Sequence, residues 1–361
     1  MNLVAIKSAI DALSAPTISF TILTVIFPFI FPPSDWFEKI HRKTGLWRMW
    51  TKPGGLIGMI LITAFFVIGY FDVYFNKTLT KADNFPIVLM IYSMWFLIWL
   101  GMYKAYRNDI RIEQGLKPEE YNDPDDKVLV WPDLVYIEFI ALILFQVFLI
   151  VWSILVAAPI EEPANPAATP NPSKAPWYFL GLQEMLVYYD PWIAGVLLPT
   201  FIIVGLMAIP YLDINKKGDG YYSFKERRVG IFIFMYGWVV LWLFLIIIGT
   251  FFRGPNWNFF GPFEYWDTHK VEALTNVNLS EILWVKWLNQ GLPSNILIRE
   301  SLGFIVTGLY LFVLPVILAK TYLKDMLAAY GPTRFVTLMI LGLVMLALPI
   351  KMYLRWIFNL Q

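Results

Sequence analysis

The stretch "LVYIEFIALILFQVFLIVWSILVA" (134–157) contains a single charged side chain, Glu138, in 24 residues. A helix needs about 20 apolar residues to cross the hydrocarbon core of a bilayer. Because lipid offers the backbone no hydrogen-bond partners, such a run must form a helix that pairs its own amides. The stretch therefore predicts a transmembrane helix, and it places the chain among membrane proteins.

The remaining sequence has the composition of a protein that crosses the membrane many times. Of its 361 residues, 58% are hydrophobic and 15% are charged, and the mean hydropathy is +0.59. We therefore predict an all-α, polytopic transmembrane helix bundle of about eight spans with a proline-rich outer loop. The first predicted span contains Pro28, Pro32 and Pro33, which break helices, so we expect it to be tilted, kinked or interfacial. The further apolar runs lie near residues 14–33, 54–75, 85–103, 191–212, 229–252, 301–319 and 334–356.

The charge and the residue counts exclude several classes of function. The net charge is +1, so nothing points to nucleic acid as a partner. The chain has no cysteine, which excludes disulfides, cysteine-ligated iron–sulfur clusters and thioether-attached haem within this polypeptide. We found no phosphate loop, dinucleotide fingerprint, zinc-site spacing or hydrolase triad, and we expect no metal site and no removable signal peptide.

The distribution of lysine and arginine predicts the orientation of the spans. Cytoplasmic segments of membrane proteins contain an excess of these residues. Here 18 of the 28 lie in four connecting segments on one side of the membrane: 34–53, 104–133, 213–228 and 320–334. These segments are therefore predicted to face the cytoplasm. The proline-rich segment 158–190, in which Lys174 is the single Lys or Arg, then faces outward.

Several short motifs follow one another around this outer segment. Prolines pre-set the backbone and lower the entropy lost when a loop becomes ordered. Trp and Tyr favour the membrane interface, because each has an apolar body and a polar tip. The segment thus predicts a rigid, aromatic-lined crevice at the membrane surface. The motifs are "WPDL" (131–134), "EPANPAATP" (162–170), "PWYF" (176–179) and, after one span, "IPYLDINKK" (209–217).

This order of motifs resembles the C-terminal half of cytochrome b, which is the separate subunit IV of cytochrome bc-type quinol oxidoreductases. The family pattern is an outer Pro-Ala-Asn-Pro loop followed by Pro-Glu-Trp-Tyr. The resemblance implies an outer quinol-oxidation site for menaquinone or ubiquinone. It also makes Tyr178 a candidate catalytic residue of that site. The alternative is that the aromatic residues are ordinary members of the interfacial belt. The quinol-binding residues implied are Pro176, Trp177, Tyr178, Phe179 and Leu180.

One residue of the family pattern is missing. Pro176 occupies the place of the glutamate that accepts a quinol proton in the family. Glu184 follows Trp177 by seven residues, so helical spacing puts both side chains on one face. A carboxylate partly desolvated among aromatic side chains is suited to accept a proton, which makes Glu184 the candidate proton acceptor. The alternatives are a solvated loop glutamate or a structural partner for Lys174.

Other ionisable residues are weaker candidates for proton transfer. Glu161, Glu162 and Asp190 each adjoin a proline break and are expected to face water. On the cytoplasmic side, Asp133 and Glu138 lie at the start of the fourth span, where ionisable groups at membrane depth indicate function. They are candidates for proton uptake near an inner quinone site. A snorkelling or paired residue at the end of the span is the alternative.

Haem is expected in a partner chain. A cytochrome b core holds two haems through four histidines on facing helices. This chain has two histidines, His41 and His269, which lie outside the predicted spans, on opposite sides of the membrane, and are expected to be surface residues. The resemblance therefore implies a separate haem-b-containing subunit of the cytochrome b N-terminal type, with no haem bound by this chain alone. It also implies an outer Rieske or cytochrome c subunit.

The chain divides into three predicted blocks. Residues 1–129 form an N-terminal membrane extension with two or three spans, 130–252 form the subunit IV-like domain with three spans, and 253–361 form an outer interfacial loop plus two spans. The acidic stretch 119–127 is a predicted cytoplasmic joint. In the last block, "LSEILWVKWL" (279–288) is a predicted interfacial helix.

Together these features predict a membrane subunit of a bacterial quinol:electron-acceptor oxidoreductase of the cytochrome c type, located in the cytoplasmic membrane. It would form part of the outer quinol site and would not be active alone. The alternative is a non-catalytic membrane scaffold of the same fold that anchors a periplasmic redox complex. The missing glutamate favours the scaffold, whereas the retained Trp-Tyr pair and the proline-rich loop oppose it.

The orientation can be tested by cysteine labelling, because the natural chain has no cysteine. A cysteine in place of Ala167 should react with a membrane-impermeant maleimide in intact cells, since the loop is predicted to face outward. A cysteine in place of Asp219 should react only after the cells are opened. Reversed labelling of the two positions would overturn the orientation and the outer position of the quinol site.

Overall fold

The computed structural model of the chain describes residues 3–122, 129–156, 163, 165–167, 170–215, 220–271 and 276–360. Within these residues, seven helices are long and apolar enough to cross a membrane, and a bent pair near the N-terminus makes eight if it forms one span. No β-strand occurs among the described residues, where the only bridges are isolated ones. The predicted all-α, polytopic helix bundle is therefore confirmed.

The first predicted span is a bent pair of helices. The helices α1 (Leu3–Ser14) and α2 (Pro16–Ile30) meet at an angle of 74°. Proline lacks an N–H and disfavours helical geometry in the residue before it, so Pro16 begins a new helix instead of continuing α1. Pro28 lies inside α2 without ending it. The predicted kink is thus confirmed, but it lies at Ala15 and not at the later prolines.

The rest of the N-terminal block contains two long helices and two short ones. After α3 (Asp35–Lys43) comes α4 (Lys52–Tyr70), which ends earlier than predicted. It ends there because Asp72 caps a separate helix, α5 (Val73–Leu79), by accepting hydrogen bonds from two amides of its first turn at 2.9 Å. The next helix, α6 (Phe85–Glu113), continues well beyond the predicted end of the third span.

The middle of the chain contains three long helices and one short one. They are α7 (Val130–Leu155), α8 (Leu180–Met185), α9 (Ile193–Leu212) and α10 (Lys225–Phe252). The long helices agree with three predicted spans to within a few residues. The acidic joint and the proline-rich loop lie partly outside the described residues, at 123–128 and at 157–162, 164 and 168–169, and Glu161 and Glu162 are among these.

The C-terminal block contains two spans after two short helices. They are α11 (Glu281–Trp287), α12 (Ile296–Arg299), α13 (Ser301–Lys320) and α14 (Lys324–Phe358). The last helix begins earlier than predicted and bends at Gly331, whose φ of +73° is left-handed and accessible to glycine without steric cost. The predicted helix 279–288 forms as α11, while its position in the interface stays a prediction.

The core of the protein is built around α10, the most buried of the candidate spans. Phe20 of α2 is fully buried, and its ring centroid lies 5.3 Å from that of Phe244 of α10 and 5.8 Å from that of Tyr353 of α14. Tilted and edge-on aromatic contacts of this kind add to the stabilisation from burial. Helices from all three predicted blocks therefore share one core, and the block boundaries stay predictions.

Helix α7 is packed differently from α10. None of its residues is buried within the described chain, and from Tyr136 to Leu155 every side chain is exposed. Its side surface is therefore available to lipid or to another polypeptide. The inner-side candidate Glu138 lies in this helix and is exposed, as is Asp133.

Two adjacent polar side chains near the end of α6 hold the connecting segments on the predicted cytoplasmic side. Asn108 donates a hydrogen bond to the carbonyl oxygen of Tyr222 at 2.9 Å. Asp109 accepts one from the Ser223 hydroxyl at 2.7 Å and two from backbone amides that follow it, at 3.1 Å. Both side chains are buried, and buried polar groups must be paired. This contact explains why α6 continues into a polar stretch.

Replacing Asp109 by alanine should destabilise the protein, because it leaves three buried donors without their acceptor. Each buried donor left unpaired costs about 1–3 kcal/mol. The melting temperature in detergent, followed by the fluorescence of the 16 tryptophans, should therefore fall clearly. The matched control is Asp325→Ala, an exposed aspartate at the start of α14, which should change little. Equal melting temperatures for the two variants would contradict this role for Asp109.

Candidate functional site

The short helix α8 lies directly against the outer end of α10. A Cβ atom added to Gly181 would be 3.2 Å from Cγ1 of Ile246, and one added to Gly249 would be 3.1 Å from the carbonyl oxygen of Leu180. Both distances are tighter than ordinary carbon contacts. The two glycines therefore allow α8 and α10 to approach closely, and this contact positions the residues of the predicted quinol site.

The proline-rich segment is tied to α8 through one side chain. Gln183 accepts a hydrogen bond from the amide of Ala175 at 2.8 Å, and it donates one to the carbonyl oxygen of Ser173 at 2.9 Å. Further along, Asn171 and Asn256 exchange hydrogen bonds at 2.6 and 3.0 Å. These contacts order the end of the predicted outer loop, so that it leads directly into the aromatic turn.

The predicted quinol-binding residues lie together in this turn. Trp177 is partly buried and packs against the cluster that contains Ile246 and Phe251. Tyr178 and Phe179 are 49% and 50% exposed, and their ring centroids are 4.7 Å apart. Pro176 is exposed, whereas Leu180 is buried. The turn therefore presents two adjacent aromatic rings outward on a buried tryptophan and leucine.

Glu184 lies beneath this turn and is fully buried, with no exposed surface. Arg253 donates to both carboxylate oxygens, through Nη2 at 2.6 Å and Nε at 2.9 Å. The Tyr188 hydroxyl donates at 3.2 Å and the Trp257 indole at 3.1 Å. Two alternatives for Glu184 are therefore wrong. It is not a solvated loop residue, and its ionic partner is Arg253 instead of Lys174.

These contacts favour a structural role for Glu184. A buried carboxylate is stable only when its oxygens are paired, and here four donors pair both of them. Burial and the neighbouring Glu184 carboxylate raise the pKa of Tyr188 well above its ordinary value, so that this phenol stays a proton donor. Proton acceptance by Glu184 itself stays a prediction.

The partners of Glu184 were not identified from the sequence. Arg253 is 69 residues away along the chain, and Trp257 is 73 residues away. One signal in the sequence pointed to Arg253, which is the first charged residue after the apolar run 229–252. An arginine at the end of a span is commonly a snorkelling residue, so this signal does not specify a buried carboxylate as the partner.

The inner-side candidates lie away from this site. Asp133 and Glu138 are both on α7, which does not pack against α8, and no hydrogen bond or ion pair joins either to another described residue. Their proposed part in proton uptake stays a prediction.

One histidine is at the surface as expected and the other is not, and the two do not fit a haem. His41 is buried, not at the surface, and its Nδ1 donates to the carbonyl oxygen of Phe29 at 2.8 Å. Burial lowers its pKa. His41 lines a small cavity at the start of α10, while His269 is exposed in the segment after its end. The 28 residues of α10, about 40 Å of helix, separate them, so they cannot ligate one haem.

A comparison with known families identifies the middle of the chain. Residues 163–263 match the cytochrome b(C-terminal)/b6/petD family. The match begins in the proline-rich segment and includes α8, α9, α10 and both Arg253 and Trp257. The resemblance predicted from the motifs is confirmed over these residues. No solved structure matches the chain.

The match covers less than a third of the chain and indicates the class of complex to which it is related. A cytochrome b C-terminal segment within a multi-pass membrane protein indicates a component of a cytochrome b or bc-type redox complex. Helices α1–α7 and α11–α14 lie outside the match, although α2, α6 and α14 contribute residues to the core around α10.

Replacing Glu184 by glutamine should destabilise the protein, because the buried Arg253 charge loses its counterion. Breaking a buried ion pair in this way costs about 3–5 kcal/mol. The melting temperature in detergent should fall accordingly. The control is Glu119→Gln, which breaks the pair with Arg107 that has the same 2.6 Å distance but is half-exposed, and which should cost at most about 1 kcal/mol. An unchanged melting temperature for Glu184→Gln would argue against the ion pair.

Proposed function

We propose that this chain is the membrane subunit of a bacterial quinol:electron-acceptor oxidoreductase of the cytochrome bc type. In this proposal its outer turn forms one wall of the quinol-oxidation site, beside a separate subunit that contains haem b. Menaquinol or ubiquinol is the substrate, and a Rieske or cytochrome c subunit takes an electron on the outer side. The complex lies in the cytoplasmic membrane with lipid around it.

One observation supports this proposal above the others. Within the family-matched residues, Tyr178 and Phe179 form an exposed aromatic pair beside Trp177, and the helix that follows this turn contains Glu184 in its buried ion pair with Arg253. A pair of exposed aromatic rings can mark a binding site, and a quinol ring is flat and apolar. Two rings held at the predicted membrane surface can stack on such a ring and hold it near an outer electron acceptor.

In this proposal only the partner subunit binds haem. The separation of His41 and His269 along α10 does not fit axial ligation within this chain, so we derive no step through haem here. The exposed surface of α7 is one place where a haem-containing membrane subunit can pack, because α7 has no buried side of its own. When such a subunit is bound, its haems would transfer the second electron across the membrane.

The proposal predicts that the aromatic pair determines quinol turnover. The complex would be purified through a tag on this chain, and oxidation of a short-chain menaquinol and of a short-chain ubiquinol would be measured. Tyr178→Ala should lower kcat/KM by about tenfold, because one lost ring contact is worth about 1.5 kcal/mol. The control, Tyr322→Ala, removes a tyrosine that is 89% exposed on the predicted opposite side and should not change the rate.

The rival function is a non-catalytic scaffold for a periplasmic redox complex. It is favoured by the proline at position 176 and by the pairing of Glu184 with Arg253, which together leave the site without an available carboxylate among the described residues. A purified complex that retains its haem subunit but oxidises neither quinol would support the scaffold and contradict the enzyme subunit.

A further inference from the structure

We propose that Lys174 is the group that accepts the quinol proton at the outer site. The inference rests on the proposed function and deepens it, since it supplies the proton acceptor that the family motif lacks here. A neutral lysine amine is a competent general base, and Lys174 lies two residues before Pro176, which stands in the place of the family's glutamate.

The position of Lys174 places its amine beside the aromatic turn. Its Nζ donates a hydrogen bond to the carbonyl oxygen of Thr250 at 2.7 Å, and it lies 5.1 Å from the ring centroid of Trp266. Trp177 packs against Ile246 and Phe251, which belong to the same last turns of α10 as Thr250. The amine and the proposed quinol-stacking turn therefore meet at one end of one helix.

Among the described residues, no carboxylate forms an ion pair with Lys174. The nearby carboxylate is Glu184, whose two oxygens are already bound by Arg253. The other charged groups that act on Lys174 are cations, namely Lys81 before α6 and Arg253 itself, and Trp266 contributes only a ring. An ammonium group in this position is disfavoured both by desolvation and by like charge.

The result is an amine that titrates near neutral pH. Burial, followed by Lys81 and Arg253, lowers the pKa of Lys174 to about 7, against a smaller opposing effect of Glu184. At pH above this value most of the amine is uncharged and can take a proton. Below it the amine is already protonated and cannot. Quinol oxidation that depends on Lys174 should therefore rise as the pH increases through about 7.

A neighbouring hydroxyl fits a role in proton transfer. Thr250 is fully buried, and its side-chain hydroxyl has no hydrogen-bond partner among the described residues. The carbonyl oxygen of the same residue, Thr250, accepts the hydrogen bond from Lys174. Since most buried hydroxyls are paired, an unpaired one at this position is available as a donor or acceptor when the amine gains or loses a proton.

The proposed step is a proton transfer without a change of oxidation state. The quinol O–H bond breaks, an N–H bond forms on Lys174, and the electron pair of the broken bond stays on the quinolate oxygen. The quinolate then gives up two electrons singly to the one-electron acceptors of the proposed function, an outer iron–sulfur or cytochrome c protein and the partner's haem, and its second O–H proton leaves to water on the outer side. Lys174 afterwards releases its proton to the outer side.

Two substitutions separate proton acceptance from a fixed positive charge. Lys174→Arg keeps the charge but cannot lose its proton, and Lys174→Gln removes the charge. If Lys174 is the acceptor, both variants of the whole complex should lower the rate of quinol oxidation by about 100-fold or more, and neither should keep the rise in rate near pH 7. The control is Lys77→Gln, an exposed lysine on α5, which should leave the rate and its pH profile unchanged.

A second measurement needs neither a variant nor a substrate. Brief acetylation of the wild-type complex with acetic anhydride from pH 5 to 10, read by mass spectrometry of each lysine peptide, reports how the reactivity of each amine rises with pH. Lys174 should reach half of its maximal labelling near pH 7, at lower pH than the exposed lysines. Half-maximal labelling in the ordinary lysine range would overturn the proposal, whatever the variants do.

The remaining outcomes are also decisive. A wild-type rate in Lys174→Arg with a slow Lys174→Gln would mean that Lys174 acts as a fixed cation, and it would overturn proton acceptance. Wild-type rates in both variants would overturn it as well, and the proposed function would stand. A wild-type complex that oxidises no quinol would instead remove the proposed function itself, so the two failures are distinguishable.

Discussion

The rest of the candidate site depends on the buried ion pair between Glu184 and Arg253. Burying two charges costs several kcal/mol unless good geometry and further hydrogen bonds compensate. Here both carboxylate oxygens accept from the guanidinium, and Tyr188 and Trp257 complete the pairing. The pair joins α8 to the segment that follows α10, at a place where Gly181 and Gly249 let the two helices touch. The main effect of the ion pair is therefore geometric, because it fixes the position of α8 and of the aromatic turn before it.

The same ion pair determines the electrostatics of the site above it. Because Arg253 binds Glu184, Lys174 has no carboxylate partner among the described residues and instead contacts a carbonyl oxygen and an aromatic ring. Glu184, Arg253 and Lys174 thus have different roles. The acid and the arginine form a stable pair, and the remaining amine is the group whose charge is easily lost.

The segments outside the family match complete the bundle around α10. Phe20 from α2 and Tyr353 from α14 pack on the helix that ends in Arg253, and Asp109 of α6 binds the segment at its start. Parts of the chain on either side of the match thus contact α10 at its start and along its second half. By contrast α7 is left uncovered, so that the surface for a partner and the internal core lie on different helices.

Much of the fold was predictable from the sequence, because a helix in lipid is specified by a local property, a run of about 20 apolar residues. The sequence likewise placed Trp177, Tyr178 and Phe179 in one turn, since neighbours along a chain stay neighbours. What it did not determine were the partners of charged residues. Glu184 binds an arginine 69 residues away, Asp109 binds a serine 114 residues away, and His41 is buried by Phe29 and its neighbours. Such pairings depend on which helices pack together, and many similar apolar helices pack about equally well by composition alone. Only the tertiary structure decides which polar groups meet, and therefore that Glu184 pairs with Arg253 while Lys174 binds a backbone carbonyl oxygen.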